Sequence, residues 1–130
     1  MIGRNRIQAF VDEVVRQFQP ERVVLFGSYA YGRPSEDSDV DLLVIMPFRG
    51  SPNKKAVEID LRVRRQFAMD LLVRTPGTVR KRVRLGDWFL REIMETGKVL
   101  YAKHGSTVGS KSRSRLGRST SARSGRSQTP

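Results

Sequence analysis

Apolar residues Ile7, Phe10, Val11, Val14, Val15 and Phe18 form pairs three and four positions apart, as in Ile7 with Phe10 and Val11, Phe10 with Val14, Val11 with Val15, and Val14 with Phe18. That spacing predicts an amphipathic helix over residues 4–18, with Pro20 just past its end. The period then changes. Arg22–Phe26 (RVVLF) is a short β-branched run closed by Gly27, and it predicts a buried strand. Ser28–Tyr31 has room for one helical turn beginning at Ser28, and residues 33–38 (RPSEDS) have the composition of a loop. Val40–Met46 (VDLLVIM) predicts a second strand, ended by Pro47.

Residues 49–53 (RGSPN) read as a loop. Residues 54–67 carry two patterns at once. Val57, Ile59, Leu61 and Val63 alternate like a strand, whereas Ala56, Ile59, Val63 and Phe67 share one helical face. The stretch is long for a strand and its polar positions hold helix-favouring Lys, Glu, Arg and Gln, so a helix is predicted. Met69–Val73 (MDLLV) predicts a third strand. Thr75 is placed as an N-cap and Pro76 as the first helical residue of a short helix reaching about Leu85. Asp87 caps a further helix through Thr96, which Gly97 ends, and Trp88-Phe89-Leu90 is expected to pack into the core, with a partner-binding surface as the alternative. Lys98–Tyr101 (KVLY) is a last short strand. The order α-β-(α)-β-α-β-α-α-β predicts an α/β domain, a small mixed β-sheet with helices packed against it, over residues 1–102.

Composition separates the rest of the chain from that domain. The net charge is +12. Seven of the cationic residues (Lys103, Lys111, Arg113, Arg115, Arg118, Arg123 and Arg126) lie in residues 103–130, which carry no acid. This Ser/Arg/Gly-rich segment offers little apolar surface to bury, so a disordered basic tail is expected. It suits nonspecific nucleic-acid contact through phosphates, or plain solubilisation. His104, the one histidine, stands at its start and is expected to be solvated. There is no Cys, which excludes disulfides and thiolate metal sites. No apolar stretch approaches the roughly 18 residues that span a bilayer, so no membrane role is expected. The acids within the amphipathic N-terminus argue against a signal peptide, and a cytoplasmic location is expected.

The chemistry concentrates in residues 25–45. Asp39 and Asp41 stand two apart at the mouth of an apolar strand and would project to one face. Carboxylates held this close repel, and a divalent ion removes the penalty. Hard oxygen donors with no His or Cys nearby favour Mg²⁺, with Mn²⁺ as the substitute, over Zn²⁺. Asp70 lies in MDLLV, which repeats the VDLLV of residues 40–44. If the two strands are neighbours, Asp70 comes level with Asp41. Three carboxylates then suit two metal ions about 3.5–4 Å apart, the arrangement for in-line attack on phosphorus. Gly27 permits close backbone approach, and Ser28 opens a turn whose N–H groups and hydroxyl suit an anion. Without the carboxylates, Gly27-Ser28 would be an ordinary strand-turn-helix junction, and Asp70 a strand-end acid meeting a cap or an Arg.

Gly27-Ser28, a ten-residue spacer, Asp39-Val40-Asp41 and the downstream Asp70 resemble the minimal nucleotidyltransferase (MNT-type) group of the polymerase-beta-like nucleotidyltransferase superfamily. The resemblance covers roughly residues 5–102, with DLLVRTP and GKVLY as weaker support. It implies the nucleotidyltransferase fold and transfer of a nucleoside monophosphate, AMP from ATP, to an acceptor hydroxyl with release of pyrophosphate. It implies nucleotide binding by Gly27 and Ser28, metal binding by Asp39, Asp41 and Asp70, and a catalytic role for the three acids, Asp70 as candidate general base. It also implies a partner, a HEPN-type helical protein, with this chain as the antitoxin-like member of a toxin-antitoxin pair. The sequence departs from the pattern at Tyr31, where many relatives carry an Arg; Arg33 is the candidate substitute. Tyr29 and Tyr31 are expected to pack rather than to accept a nucleotide.

Two other readings stay open on sequence grounds. The domain could be a non-catalytic module that binds a partner protein by occlusion. Alternatively the tail, with Arg62, Arg64, Arg65, Arg80, Lys81, Arg82, Arg84 and Arg91, could form a basic nucleic-acid surface, although charge on helices is usually only a solvated face.

Overall fold

The computed structural model describes residues 2–65 and 67–103; the expected disordered tail, save Lys103, and His104 lie outside the described residues. The elements are α1 (Arg4–Phe18), β1 (Arg22–Phe26), β2 (Val40–Ile45), α2 (Pro52–Arg62), β3 (Met69–Arg74), α3 (Pro76–Arg84), α4 (Trp88–Thr96) and β4 (Lys98–Ala102). The strands form one sheet in the order β3-β2-β1-β4. β1 runs antiparallel to both β2 and β4, while β2 and β3 are parallel, joined by the α2 crossover. This is the mixed α/β sheet expected from the pattern.

Helices cover both faces of the sheet, which is why β1 and most of β2 read as continuous apolar runs rather than alternating ones. On one face Ile7, Phe10, Val11 and Val14 of α1 and Ile59 of α2 pack against Val23, Leu25, Val40, Leu42, Val44 and Val73. On the other, Val79 of α3 and Leu90 and Ile93 of α4 pack against Val24, Phe26, Leu43 and Ile45. Among the described residues no helix is long and apolar enough to cross a membrane.

The structure resolves the ambiguity at residues 54–67 and moves the boundaries. Ile59 and Val63 are buried, four positions apart, whereas Val57 is 57 % and Leu61 79 % exposed. A strand would have buried all four on one side; a helix separates them. The helix begins inside the expected loop, because the Ser51 side chain accepts hydrogen bonds from the N–H groups of Asn53 (3.1 Å) and Lys54 (3.3 Å), and Pro52 fills the first helical position. It ends at Arg62 instead of 67, with Val63 extended as its C-cap.

α3 and α4 start as expected, capped by Thr75 and Asp87 respectively. The expectation for Trp88-Phe89-Leu90 is corrected: only Leu90 is buried, at 4 % exposure, while Trp88 is 72 % and Phe89 43 % exposed. Successive helical residues point about 100° apart, so three in a row cannot all enter one core. Leu90 and Ile93 form the buried stripe.

Candidate functional site

β1, β2 and β3 bring a row of side chains to one end of the sheet. Phe26 is the register partner of Asp41, and Asp41 is the register partner of Asp70. The two Asp backbones are therefore about one strand spacing apart, ~4.8 Å. Alternation sets the side they face. Val24 and Phe26 on β1, Leu43 and Ile45 on β2, and Leu72 on β3 contribute to the α3/α4 core. Phe26, Asp41 and Asp70 share that parity and that face, at the end where the helices leave it open. The repeated DLLV of the two strands lies in register, as its repetition suggests.

Asp41 is half-buried, whereas Asp39 and Asp70 are exposed. Burial, with Asp70 and then Asp39 nearby, pushes the Asp41 carboxyl above its ordinary value. Asp39 stands one residue ahead of β2, whose start is held to the β3 side by the Val40 N–H donating to Ala68 O at 3.1 Å. Among the described residues, no three His, Cys, Asp or Glu side chains are gathered into a ready-made ion cluster. The level pair is Asp41–Asp70; Asp39 and Asp70 are exposed and could turn toward a cation shared with Asp41. Crowded, all-oxygen, acidic donors of this kind fit a hard divalent ion.

Gly27 adopts φ +75°, the left-handed region that glycine enters without strain. A Cβ placed there would overlap Asp41 Oδ2 and stand 3.1 Å from its Cγ. The missing side chain thus leaves the space that the Asp41 carboxylate occupies. The Gly27 carbonyl accepts from the N–H groups of Ala30 (3.0 Å) and Tyr31 (3.2 Å), and Ser28 O accepts from Arg33 N–H at 3.0 Å. Residues 27–31 make the single helical turn foreseen after β1, too short to count as a helix. Its first N–H groups are those that a helix start leaves to an external acceptor.

Tyr29 packs as expected: it is buried, and its hydroxyl accepts from the Ile2 N–H at 3.0 Å. Tyr31 differs. It is exposed, and its hydroxyl lies 2.9 Å from Thr96 Oγ1 at the end of α4. The exposed Arg33 is placed by its backbone bond to Ser28. Phe89, expected in the core, is exposed instead, and its ring packs edge-on against Phe26 at 5.8 Å between centroids. The signal available in the sequence is the Leu90–Ile93 spacing, which sets the buried face of α4 and leaves Trp88 and Phe89 outside it.

A nucleotidyltransferase domain family model matches residues 7–103. A protein of Methanocaldococcus jannaschii, provisionally named a protein adenylyltransferase, is 28 % identical over 95 residues, covering 65 % of this chain and 93 % of its own. Among solved structures, a provisionally named nucleotidyltransferase from Sulfolobus solfataricus is 25 % identical with a TM-score of 0.49, covering 59 % of this chain and 70 % of that one. A mutant of the toxin-antitoxin pair MntA–HpeT is 17 % identical with a TM-score of 0.47, covering 74 % of this chain and 73 % of that one.

Proposed function

The chain belongs to the nucleotidyltransferase domain family, and on that premise we propose that it transfers AMP from ATP to a hydroxyl of a partner protein. The observation that carries the reading is the level Asp41–Asp70 pair beside a glycine whose missing Cβ makes room for one of the two carboxylates. The adenylyltransferase name of the archaeal relative supports a protein as acceptor.

In this reading Gly27 and Ser28 bind the distal phosphates through backbone N–H groups and the Ser28 hydroxyl. Asp39, Asp41 and Asp70 would hold divalent cations, Mg²⁺ or Mn²⁺, which supply neutralisation of the phosphate oxygens. The acceptor oxygen bonds to the α-phosphorus, the bond from that phosphorus to the bridging oxygen breaks, and pyrophosphate leaves. The exposed Asp70 takes the acceptor proton and passes it to solvent. We place the acceptor hydroxyl on a partner protein, in keeping with the name of the archaeal relative. On the motif resemblance that partner is a HEPN-type helical protein, with this chain in the antitoxin-like role.

Incubation with α-labelled ATP, Mg²⁺ and the co-expressed partner should label the partner. Combined Asp39→Ala and Asp41→Ala substitution should abolish the label. Equal labelling by the double variant would sink the reading.

A further inference from the structure

We propose that Trp88 and Phe89 form a stacking shelf for the nucleobase of the bound triphosphate. The inference rests on the transferase reading and adds to it a subsite formed outside the carboxylates and the Gly27-Ser28 turn.

The shelf is continuous with the site. Phe26 immediately precedes Gly27 and is the cross-strand partner of Asp41. Phe89 packs edge-on to Phe26, with centroids 5.8 Å apart at 84°, and Trp88 packs edge-on to Phe89 at 6.3 Å and 79°. The three rings lead outward from the carboxylate row, and exposure rises from Phe26 to Phe89 to Trp88. Phe26 is core, whereas most of the Trp88 indole faces solvent. Both ends of α4 are fastened to the segment bearing the phosphate turn. Phe89 rests on Phe26 before the turn, and Thr96 meets the hydroxyl of Tyr31, the last residue of the turn. α4, which begins at Trp88, is therefore anchored to the segment that carries Gly27 and Ser28.

Size favours a base over a protein surface. A large aromatic side chain offers about 150–250 Å² for burial, so two partly exposed rings match the face of one stacked base and would supply only a part of the ~800 Å² per partner that a standard protein interface buries. One heterocycle is the match. A ligand whose phosphates sit at Gly27-Ser28 and whose α-phosphorus sits by Asp41 has one sugar to cross before its base, and the rings begin beside Asp41. A solvent-facing indole also costs free energy in the unliganded chain, which a stacked base would offset.

The full chain contains a single Trp, so its indole emission reports on position 88 alone. With Mg²⁺ present, ATP should quench or shift that emission, and inorganic tripolyphosphate should bind with little change. By calorimetry, Trp88→Ala should weaken ATP about 5- to 150-fold, the affinity equivalent of one base–aromatic stack, and leave tripolyphosphate affinity unchanged. Trp88→Phe should restore most of the loss, which separates stacking from misfolding. ATP affinity that is unmoved in Trp88→Ala overturns the shelf; if that variant instead loses the partner complex, the patch belongs to a protein contact. Equal quenching by tripolyphosphate overturns it too. The reading beneath it fails separately, if Asp41→Asn leaves Mg²⁺-dependent binding of both ligands intact.

Discussion

The Asp41 carboxylate occupies the space that any side chain at Gly27 would need. Asp41 lies on β2 and Gly27 just past the end of β1, beyond the Phe26–Asp41 register pair, so the contact exists only once β1 and β2 have paired. The same glycine thereby serves two ends. Its positive φ turns the chain into the Ser28 turn, and its bare Cα admits an acid that burial and two neighbouring carboxylates already disfavour in charged form.

Gly27→Ala should therefore fail twice. The left-handed backbone alone costs a non-glycine residue about 1–2 kcal/mol, which lowers Tm by about 4–8 °C per kcal/mol in a domain of this size. The overlap with Asp41 adds to that. Combining Gly27→Ala with Asp41→Ala should relieve the overlap and leave the backbone cost, so the double variant should melt above the additive expectation. Thermal unfolding of the four proteins checks this, and strict additivity would mean that the two side chains do not compete for space.

Asp41→Asn should stabilise the ion-free protein at neutral pH. Burial first, then Asp70, then Asp39 raise the folded carboxyl's pKa above the ordinary value of 3.8. Between those two values the native state binds more protons than the unfolded chain, so stability falls as pH rises through the window. The cost persists at pH 7. The variant's Tm advantage should be full there and vanish well below pH 3.8. Added Mg²⁺ should raise the wild-type Tm, because a ligand of the native state at a hundredfold over its Kd contributes about 2.7 kcal/mol, and it should raise the variant's much less. Tm measured against pH, with and without Mg²⁺, reads both effects.

The parts of the fold that were legible in the sequence are those set by short-range chemistry. α1 shows in its period, α3 in Thr75-Pro76, and the Asp41–Asp70 level in the repeated DLLV. What was not legible depends on contacts distant in sequence or on which neighbours arrive. The start of α2 was hidden because Ser51-Pro52 reads equally as turn chemistry until the helix behind it is known. Its end was hidden because Val63 and Phe67 still pack against the core after the helix has stopped, so apolar spacing runs on without it. The role of Gly27 toward Asp41 needed the β1–β2 pairing.

Gly97 shows the same limit and gives another test. The sequence places it as a helix-ending glycine, which suggests a left-handed C-cap. It does follow α4, but at φ −67° and ψ 165°, a conformation open to any residue. What it needs is space: a Cβ there would lie 2.5 Å from Val24 Cγ1, 2.6 Å from Ile93 O and 3.0 Å from Leu25 O. Gly97→Ala should push α4 and β4 off β1 and cost about 1–3 kcal/mol, the usual range for overpacking. The companion variant Gly77→Ala, at a site with nothing within 4 Å of a new Cβ and inside α3, should be neutral or slightly stabilising. Equal denaturation midpoints for the two would remove the close-packing explanation.

Arg22 should be replaceable by an apolar residue with a gain in stability. It begins β1 at the end of the sheet opposite Asp41, paired in register with Ile45 and Ala102. Its side chain is buried, at 7 % exposure, and among the described residues its Nε finds no hydrogen-bond partner. Burial lowers its pKa, while Glu21 opposes the shift. A guanidinium stays charged in spite of such a shift, so the folded chain carries the desolvation cost instead of shedding the proton. Met has a similar reach and no charge, and its flexible thioether fits irregular gaps. Arg22→Met should therefore raise Tm and leave Mg²⁺-dependent ATP binding unchanged, since the carboxylate row and the Gly27 turn lie at the far end of the strand. A lower Tm would show that the Arg22 charge is compensated in the folded chain, and an altered ATP affinity would show that the two ends of the sheet are coupled.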